Sequence, residues 1–447
     1  MIGQFPWDPF PHDEPEPVGE DPLLAAVYRG AVEGSDAYRA VRSAVRRDSG
    51  VLRVGNRFVP EGRYREVAFV ALGHAANSMA LAVLHVFGDR LTQGFVAGPE
   101  TPPASVPFRS VTVPDGWGGD VAAPKVVEAA REIAGGLKAS DLFLLLVSPG
   151  ALRSLLVPPP GVDRKEFADL LAGLHAQGVS GRDVSAVARV LGTGGVGGRL
   201  LPTETAADVQ CLLVDHGDGP VVLGGGPTFP VSDRERAEVR ATLERAGVLD
   251  RLPTTALTSL GRPLAEGPAP PARRPVVVSA PEDAVRGAGD AAFRKGWTAR
   301  VGELGLAAPP GAAAERFVVK AEGVLAVERP GEGLRTKGLM VFASTTLDLP
   351  EGVVERPACE TFLATASGLL RHREMGIGAL RTAGPTGPAP PFAGGVVGAS
   401  TDPATRTPAD RIRPIRMRAG ITDVGILLVA TVPASAGATG PRGLTAS

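Results

Sequence analysis

Cysteine is almost missing from this sequence. Only Cys211 and Cys359 occur among 447 residues, too few and too far apart for a disulfide framework or a thiolate metal site. Cys211 stands in an apolar run, where a buried free thiol is expected. Such sparse cysteine fits a reducing compartment, and the expected location is the cytoplasm. Lysine is scarce too: six residues, so arginine carries nearly all the positive charge. Neither sign of charge is in excess. Lys+Arg number 47 against Asp+Glu 48, which removes any general electrostatic reason to expect nucleic acid or an anionic membrane as partner. Long hydrophobic runs are absent as well. The longest, 142–147 and 426–432, fall far short of the ~20 residues that span a bilayer. Residues 1–20 are acidic and Pro-rich, without the basic start or apolar core of a signal peptide, and are expected to form a tail.

What is present is apolar residue in quantity, 44%, enough for more than one core at a length that suggests two domains. Strand-like runs alternate with helical periodicity. A helical pattern covers 22–47. Residues 66–72 are a short apolar run, Gly73 follows, and 75–86 reads as a helix. Strand, glycine, helix is the opening unit of a parallel α/β sheet. The unit recurs with a strand at 94–97, a helix at 125–137 and a strand at 142–147 before the Ser148-Pro149-Gly150 turn. Asp163 is placed to N-cap a helix over 163–177. Residues 192–198 form a glycine-dense loop, 209–214 a strand, 215–226 a polar glycine-rich loop and 233–246 a charged helix.

Residues 251–274 are dense in Pro, Ala, Arg and Gly and contain the expected linker, set at 266–275. Beyond it come a strand at 276–279, a helix at 282–295, paired strands at 317–319 and 325–327, a helix at 338–345, and strands at 361–366 and 425–432. Residues 382–410 read as a loose loop. The expected fold class is α/β: two domains, each with a parallel, doubly wound sheet. The boundaries are 21–265 for a Rossmann-like N-terminal domain and 276–447 for the C-terminal one.

In open α/β sheets ligands bind beyond the carboxyl ends of strands. Four loops lie at such places: 73–76, 148–150, 192–199 and 215–228. Glycine lets backbone N–H groups approach a phosphate, and a following helix adds a favourable dipole. Arg199 supplies fixed charge. No loop ends in Gly-Lys-Ser/Thr, no complete G-x-G-x-x-G follows a strand, and no HExxH occurs. A glycine-rich loop can equally be a tight connection with no ligand.

The order of these pieces resembles a family. Val70-Ala71-Leu72-Gly73-His74-Ala75-Ala76-Asn77-Ser78-Met79-Ala80 looks like V-G-A-G-K-A-A-x-x-M-A. Residues 141–156 (DLFLLLVSPGALRSLL) resemble D-L-V-L-x-L-L-S-G-G-G-S-A-L-L. Gly197-Gly198-Arg199-Leu200 matches the end of a second motif. Asp215, Asp218 and Gly226-Pro227-Thr228 match L-S-D-V-x-G-D-D…A-S-G-P-T, and residues 322–336, with Arg335, match G-E-T-x-V-x-V…G-x-G-G-R-N. On these motifs the chain resembles the class II (MOFRL-type) glycerate kinases over about residues 66–435.

That resemblance implies two α/β domains with the active site in the cleft between them, and transfer of the ATP γ-phosphate to a hydroxyl of D-glycerate or a related small hydroxy acid. ATP and Mg²⁺ are the implied cofactors, and a homodimer is left open. It implies His74, Arg335 and Asp218 as catalytic groups, Gly73, Ser148, Gly150, Gly197, Gly198 and Arg199 at the nucleotide, and Asp215 with Asp218 at the metal. The departures are specific. His74 stands where the family has lysine, and Val196 replaces another lysine. The acidic G-T-D-G-x-D-G-P-T-D run falls near 367–376, which keeps none of those aspartates. The alternative is therefore a homologue that keeps the fold and binds a ligand or partner without phosphoryl transfer. A different enzyme on the same cleft is the third class.

Overall fold

The computed structural model describes residues 22–99, 108–113, 122–202, 205–214, 226–261, 275–303, 310–327, 338–345, 376–381, 395–399, 413–414 and 426–433. The chain opens with helices α1 (Pro22–Gly34) and α2 (Ala37–Ala44), and strands β1 (Val45–Asp48), β2 (Val51–Val54) and β3 (Arg57–Pro60) follow. The single helical pattern expected over 22–47 is thus broken in two. Asp36 breaks it by capping α2, its carboxylate accepting from the Tyr38 and Arg39 amides. Strands β1–β3 form an antiparallel sheet: β1 takes the last three residues of the expected helical pattern, and β2 and β3 fall where the sequence suggested no element.

The main sheet is built from β4 (Val67–Leu72), β5 (Leu91–Gly98), β6 (Arg109–Thr112), β7 (Leu142–Val147), β10 (Asp208–Val214) and β11 (Val276–Ser279). Its spatial order is β11-β10-β7-β4-β5-β6, and every pair is parallel. Strands β4 and β7 are buried at every residue. They can be, because alternate side chains enter two cores. Ala68, Val70, Leu72, Phe143, Leu145 and Val147 face one, and Val67, Phe69, Ala71, Leu142, Leu144 and Leu146 face the other. A parallel sheet covered on both faces needs such near-continuous apolar strands. Each buried Val, Leu or Phe contributes about 1.5–3 kcal/mol. Helix α3 (Ala76–Phe87), which links β4 to β5, covers one face through Met79, Val83 and Phe87. Helix α4 (Ala123–Gly136), on the way from β6 to β7, covers the other through Val126, Val127 and Ile133. The sheet is therefore doubly wound.

Between β7 and β10 come α5 (Ala151–Leu155), α6 (Arg164–Ala176) and α7 (Gly181–Leu191). Leu156–Val157 (β8) and Thr193–Gly194 (β9) pair as a short antiparallel ribbon. Asp163 caps α6 as expected. Helices α8 (Asp233–Arg245) and α9 (Thr254–Gly261) follow β10. Helix α9 lies in the Pro-, Ala-, Arg- and Gly-dense stretch 251–274 but ahead of the expected linker at 266–275, of which residues 266–274 lie outside the described residues. Strand β11, expected to open the second half, instead adds to the edge of the first sheet beside β10.

Helix α10 (Pro281–Arg294) packs on α1 through glycines. A Cβ at Gly287 would lie 2.0 Å from Gly30 O, and one at Gly30 would lie 2.4 Å from Gly287 O, so these helices meet backbone to backbone.

The remaining elements are β12 (Thr298–Glu303), α11 (Pro310–Val327), β13 (Gly338–Thr345), β14 (Gly376–Arg381), β15 (Gly395–Ala399), β16 (Arg413–Pro414) and β17 (Ile426–Pro433). Their sheet runs β12-β13-β17-β14-β15-β16. Only β12–β13 is parallel, and the other pairs are antiparallel, so the second sheet is mixed where a parallel one was expected. The expected strands at 317–319 and 325–327 are one helix, α11. Ala-rich sequence favours helix, and Ala314, Phe317 and Val318 are buried at helical spacing while Val319 is exposed. The expected helix at 338–345 is β13, held between two strands. A short apolar run does not reveal its period, so tertiary pairing decides it. Part of the expected loose loop is strand β15. The strand expected at 361–366 and the tail at 1–20 lie outside the described residues. Among the described residues, no helix is long and apolar enough to cross a membrane.

Candidate functional site

The order of the main sheet reverses between β4 and β7. From β4 the chain proceeds outward through β5 and β6, then returns to β7 on the other side and continues to β10 and β11. This is the topological switch point, outside whose carboxyl ends an open α/β sheet binds its ligand. The two turns that leave the sheet there are residues 73–75, after β4, and 148–150, after β7.

These turns are joined main chain to main chain. His74 N–H donates to Pro149 O at 2.8 Å. Ala75 N–H donates to Ser148 Oγ at 3.0 Å, and the same hydroxyl donates to Leu72 O at 3.0 Å. Ser148 is wholly buried. Gly73 lies in the left-handed region at φ +99°, and a Cβ there would sit 2.4 Å from Ser148 O. Gly73 N–H donates to Ala97 O, and Ala76 N–H to Gly73 O. All four amides from 73 to 76 are therefore committed inside the protein. They do not form the open cradle of N–H groups that the glycine suggested.

The side chain that lies across this pair of turns is that of His74. It is half-buried and sits over Gly150, which N-caps α5 at φ +86°. A Cβ at Gly150 would meet His74 Nε2 at 2.8 Å, Cδ2 at 2.9 Å and Cε1 at 3.3 Å. Helix α3 begins immediately after, with no side-chain cap at Ala75, so its positive dipole end lies at the same edge.

The structure thus brings Gly73, His74, Ser148 and Gly150 together. Gly197, Gly198 and Arg199 form a separate group, joined to the first through α5 by Gly195 N–H donating to Leu155 O at 3.0 Å. There, glycine serves close backbone packing. A Cβ at Gly198 would lie 2.7 Å from Pro230 N, and Gly198 N–H donates to Gly226 O at 2.9 Å. Arg199 Nε donates to Val196 O at 2.9 Å and Nη2 to Arg189 O at 3.3 Å. Arg131 closes the loop from outside, donating to Arg199 O at 2.8 Å and Gly194 O at 3.2 Å.

At the centre of this loop is a residue that sequence reasoning missed. Arg189 is fully buried, ion-paired to Glu235, and donates to Phe229 O at 2.9 Å and Pro230 O at 3.2 Å. Its signal was an arginine within the apolar run Val187, Ala188, Val190, Leu191. Asp215, Asp218 and Arg335 lie outside the described residues. Among the described residues, no group of three or more His, Cys, Asp or Glu could hold a metal.

Titration follows burial. The Cys211 thiol is pushed up to about 12 by burial, against a hydrogen bond with Thr228 that lowers it, so it is neither nucleophile nor ligand near neutral pH. Asp36 is pushed up to about 6 by burial, opposed by the Arg39 and Tyr38 amides. At the amino end of the sheet, Asp208 accepts from Arg57 at 2.7 Å and Tyr64 at 2.6 Å. Burial raises its pKa, and the hydrogen bonds from Tyr64, Gln210 and Arg57 outweigh that and lower it.

Comparison with known proteins places the chain in a family. The chain is similar to a protein named glycerate kinase from Danio rerio, 29% identical over 52% of this chain and 48% of that one. A glycerate kinase from Bos taurus is 28% identical over 48% of this chain and 43% of its own. The chain spans just under half the length of these relatives. Among solved structures, the PH0495 protein of Pyrococcus horikoshii OT3 superposes with a TM-score of 0.69 at 16% identity, over 92% of this chain and 98% of that one. A glycerate kinase of Thermotoga maritima superposes with a TM-score of 0.66 at 20% identity over the same shares. At those identities the likeness shows a common α/β fold. Residues 23–261, over half of the chain, match the family described as "Domain of unknown function (DUF4147)", and the chain belongs to that family.

Proposed function

We propose that this chain is a glycerate kinase-like phosphotransferase. It would move the γ-phosphoryl group of ATP to a hydroxyl of D-glycerate or a related small hydroxy acid. The observation that carries this reading is the pairing of turns 73–75 and 148–150 at the switch point, with His74 over Gly150 at the start of α3. Phosphoryl transfer asks mainly for positioning and for positive charge against the phosphates. His74 is assigned to donate to a phosphate oxygen, helped by the dipole of α3. With the amides of 73–76 committed, this turn recognises phosphate through its side chain rather than its backbone. Mg²⁺, when bound, would neutralise charge on the transferred group. Asp215 and Asp218, which follow β10 in sequence, are assigned to hold it, and Arg335 to contact the anion. These three assignments rest on the family resemblance.

A second reading is a homologue that binds a ligand without transferring phosphate. The four committed amides and the histidine in the lysine position favour it. ADP release with Mg-ATP and D-glycerate, beside calorimetric binding of Mg-ATP, separates the two. The kinase reading expects glycerate-dependent ADP release that rises in His74→Lys and falls in His74→Ala. Binding of Mg-ATP without turnover in parent and His74→Lys would sink it in favour of the second.

A further inference from the structure

The geometry points to Gly150 as a positioning residue for His74: its missing Cβ is the seat that aims the imidazole. Three ring atoms of His74 lie within 2.8–3.3 Å of where that Cβ would be. Real Cβ atoms do not come as close as the 2.8 and 2.9 Å to Nε2 and Cδ2, so a side chain at 150 displaces the imidazole. The seat is fixed from below. Ser148 and Pro149, the two residues before Gly150, hold the amides of Ala75 and His74. The backbone on either side of the contact cannot drift without breaking a buried hydrogen bond, so the imidazole is the part that gives way. Family resemblance assigns Gly150 to nucleotide contact, whereas the packing assigns it to His74. The effect on turnover rests on the proposed role of His74, but the seat itself does not.

Gly150 also has a left-handed φ of +86°, so alanine there is strained whatever surrounds it. Gly161 supplies the control. It has φ +79° and nothing within 4 Å of its would-be Cβ, so Gly161→Ala carries the backbone strain without the clash.

The test uses the full chain and four variants: Gly150→Ala, Gly161→Ala, His74→Ala, and His74→Ala with Gly150→Ala. Denaturant unfolding should give Gly150→Ala an unfolding constant about tenfold larger than Gly161→Ala does, and the excess should vanish when His74 is already alanine. The imidazole resonances of His74, identified by their loss in His74→Ala, should move in Gly150→Ala and stay in Gly161→Ala. Where parent turnover exists, Gly150→Ala should lose about a hundredfold, the scale of a misplaced group. An excess cost that persists in the His74→Ala background, or unmoved His74 resonances, overturns the seat. Moved resonances with a vanishing excess uphold it whatever the turnover, and absent turnover then counts only against the kinase reading.

Discussion

Two glycine-bearing loops looked alike in sequence, and the structure uses them in opposite ways. At 73–75 and 148–150 the glycines let two turns interlock so that one imidazole is presented at the switch point. At 192–200 the glycines let a loop close on residues 226–230 around buried Arg189. In both, glycine marks a place where another backbone or a ring comes close. The two differ in what stands over the glycine. In the first it is the imidazole of His74; in the second, Arg199 donates to Val196 O and Arg189 O, and Arg131 of α4 donates to Arg199 O.

The sharpest way to break this contrast is Arg189→Ala. It strands Glu235 and two carbonyls, so stability should fall by about 3–5 kcal/mol. Turnover per folded molecule should change little, because the bonds that hold the His74 turns, His74 N–H to Pro149 O and Ala75 N–H to Ser148 Oγ, involve none of the partners of Arg189. Urea unfolding with activity measured on the folded fraction checks both parts, and a collapse of specific activity without loss of stability would place Arg189 in the site.

Asp36→Asn acts next and only on the first region, since Asp36 caps α2, which packs on α3. The Asp36 carboxyl titrates at about 6 in the fold against 3.8 when exposed. The native state therefore holds the proton more tightly. Asp36 contributes its full stability below pH ~4, and that stability is lost as pH rises through ~6. Asparagine keeps the cap without the charge. The variant should be more stable than the parent by about 3 kcal/mol at pH 7.5 and equal to it near pH 3.5. Thermal melts across that range check it, and a pH-independent difference would refute the assignment.

Ser148→Ala removes the hydroxyl shared by the two turns and leaves the Ala75 amide and part of the Leu72 carbonyl's bonding unmet. A cost of about 1–3 kcal/mol is expected. Faster hydrogen exchange should be confined to Ala75 and its neighbours, with β4 still protected. Smallest in stability is His74→Lys, expected within about 0.5 kcal/mol of the parent because it is a half-buried side chain at a loop. Its effect should instead be read in glycerate-dependent ADP release, which should rise.

The strands of the main sheet were legible because burial on both faces demands unbroken apolar runs, as at Leu142–Val147. Gly338–Thr345 was not, since eight residues of mixed apolar character fit either period until neighbours pair with them. Two of the turns at the site were legible from strand, glycine and helix in order. Their committed amides were not. Ala75 and Ser148 lie 73 positions apart, and nothing local in either sequence says that one will cap the other. Arg189 escaped for the converse reason. A charge inside an apolar helical face has meaning only when Glu235 and the 229–230 carbonyls arrive from elsewhere in the chain.

The crossing of α1 and α10 has a consequence for biosynthesis. Gly30 and Gly34 meet Gly287 and its surroundings with almost no side chain between them, so α1 finds its partner only after α10 has been made. From Gly34 to Pro281 is roughly 250 residues, which a ribosome adds in about 12–50 s at ~5–20 residues per second. For that interval the narrow glycine face of α1 is without α10. Slowing translation between the two helices should lengthen that interval, and limited proteolysis of stalled nascent chains should cut α1 faster before α10 is made than after.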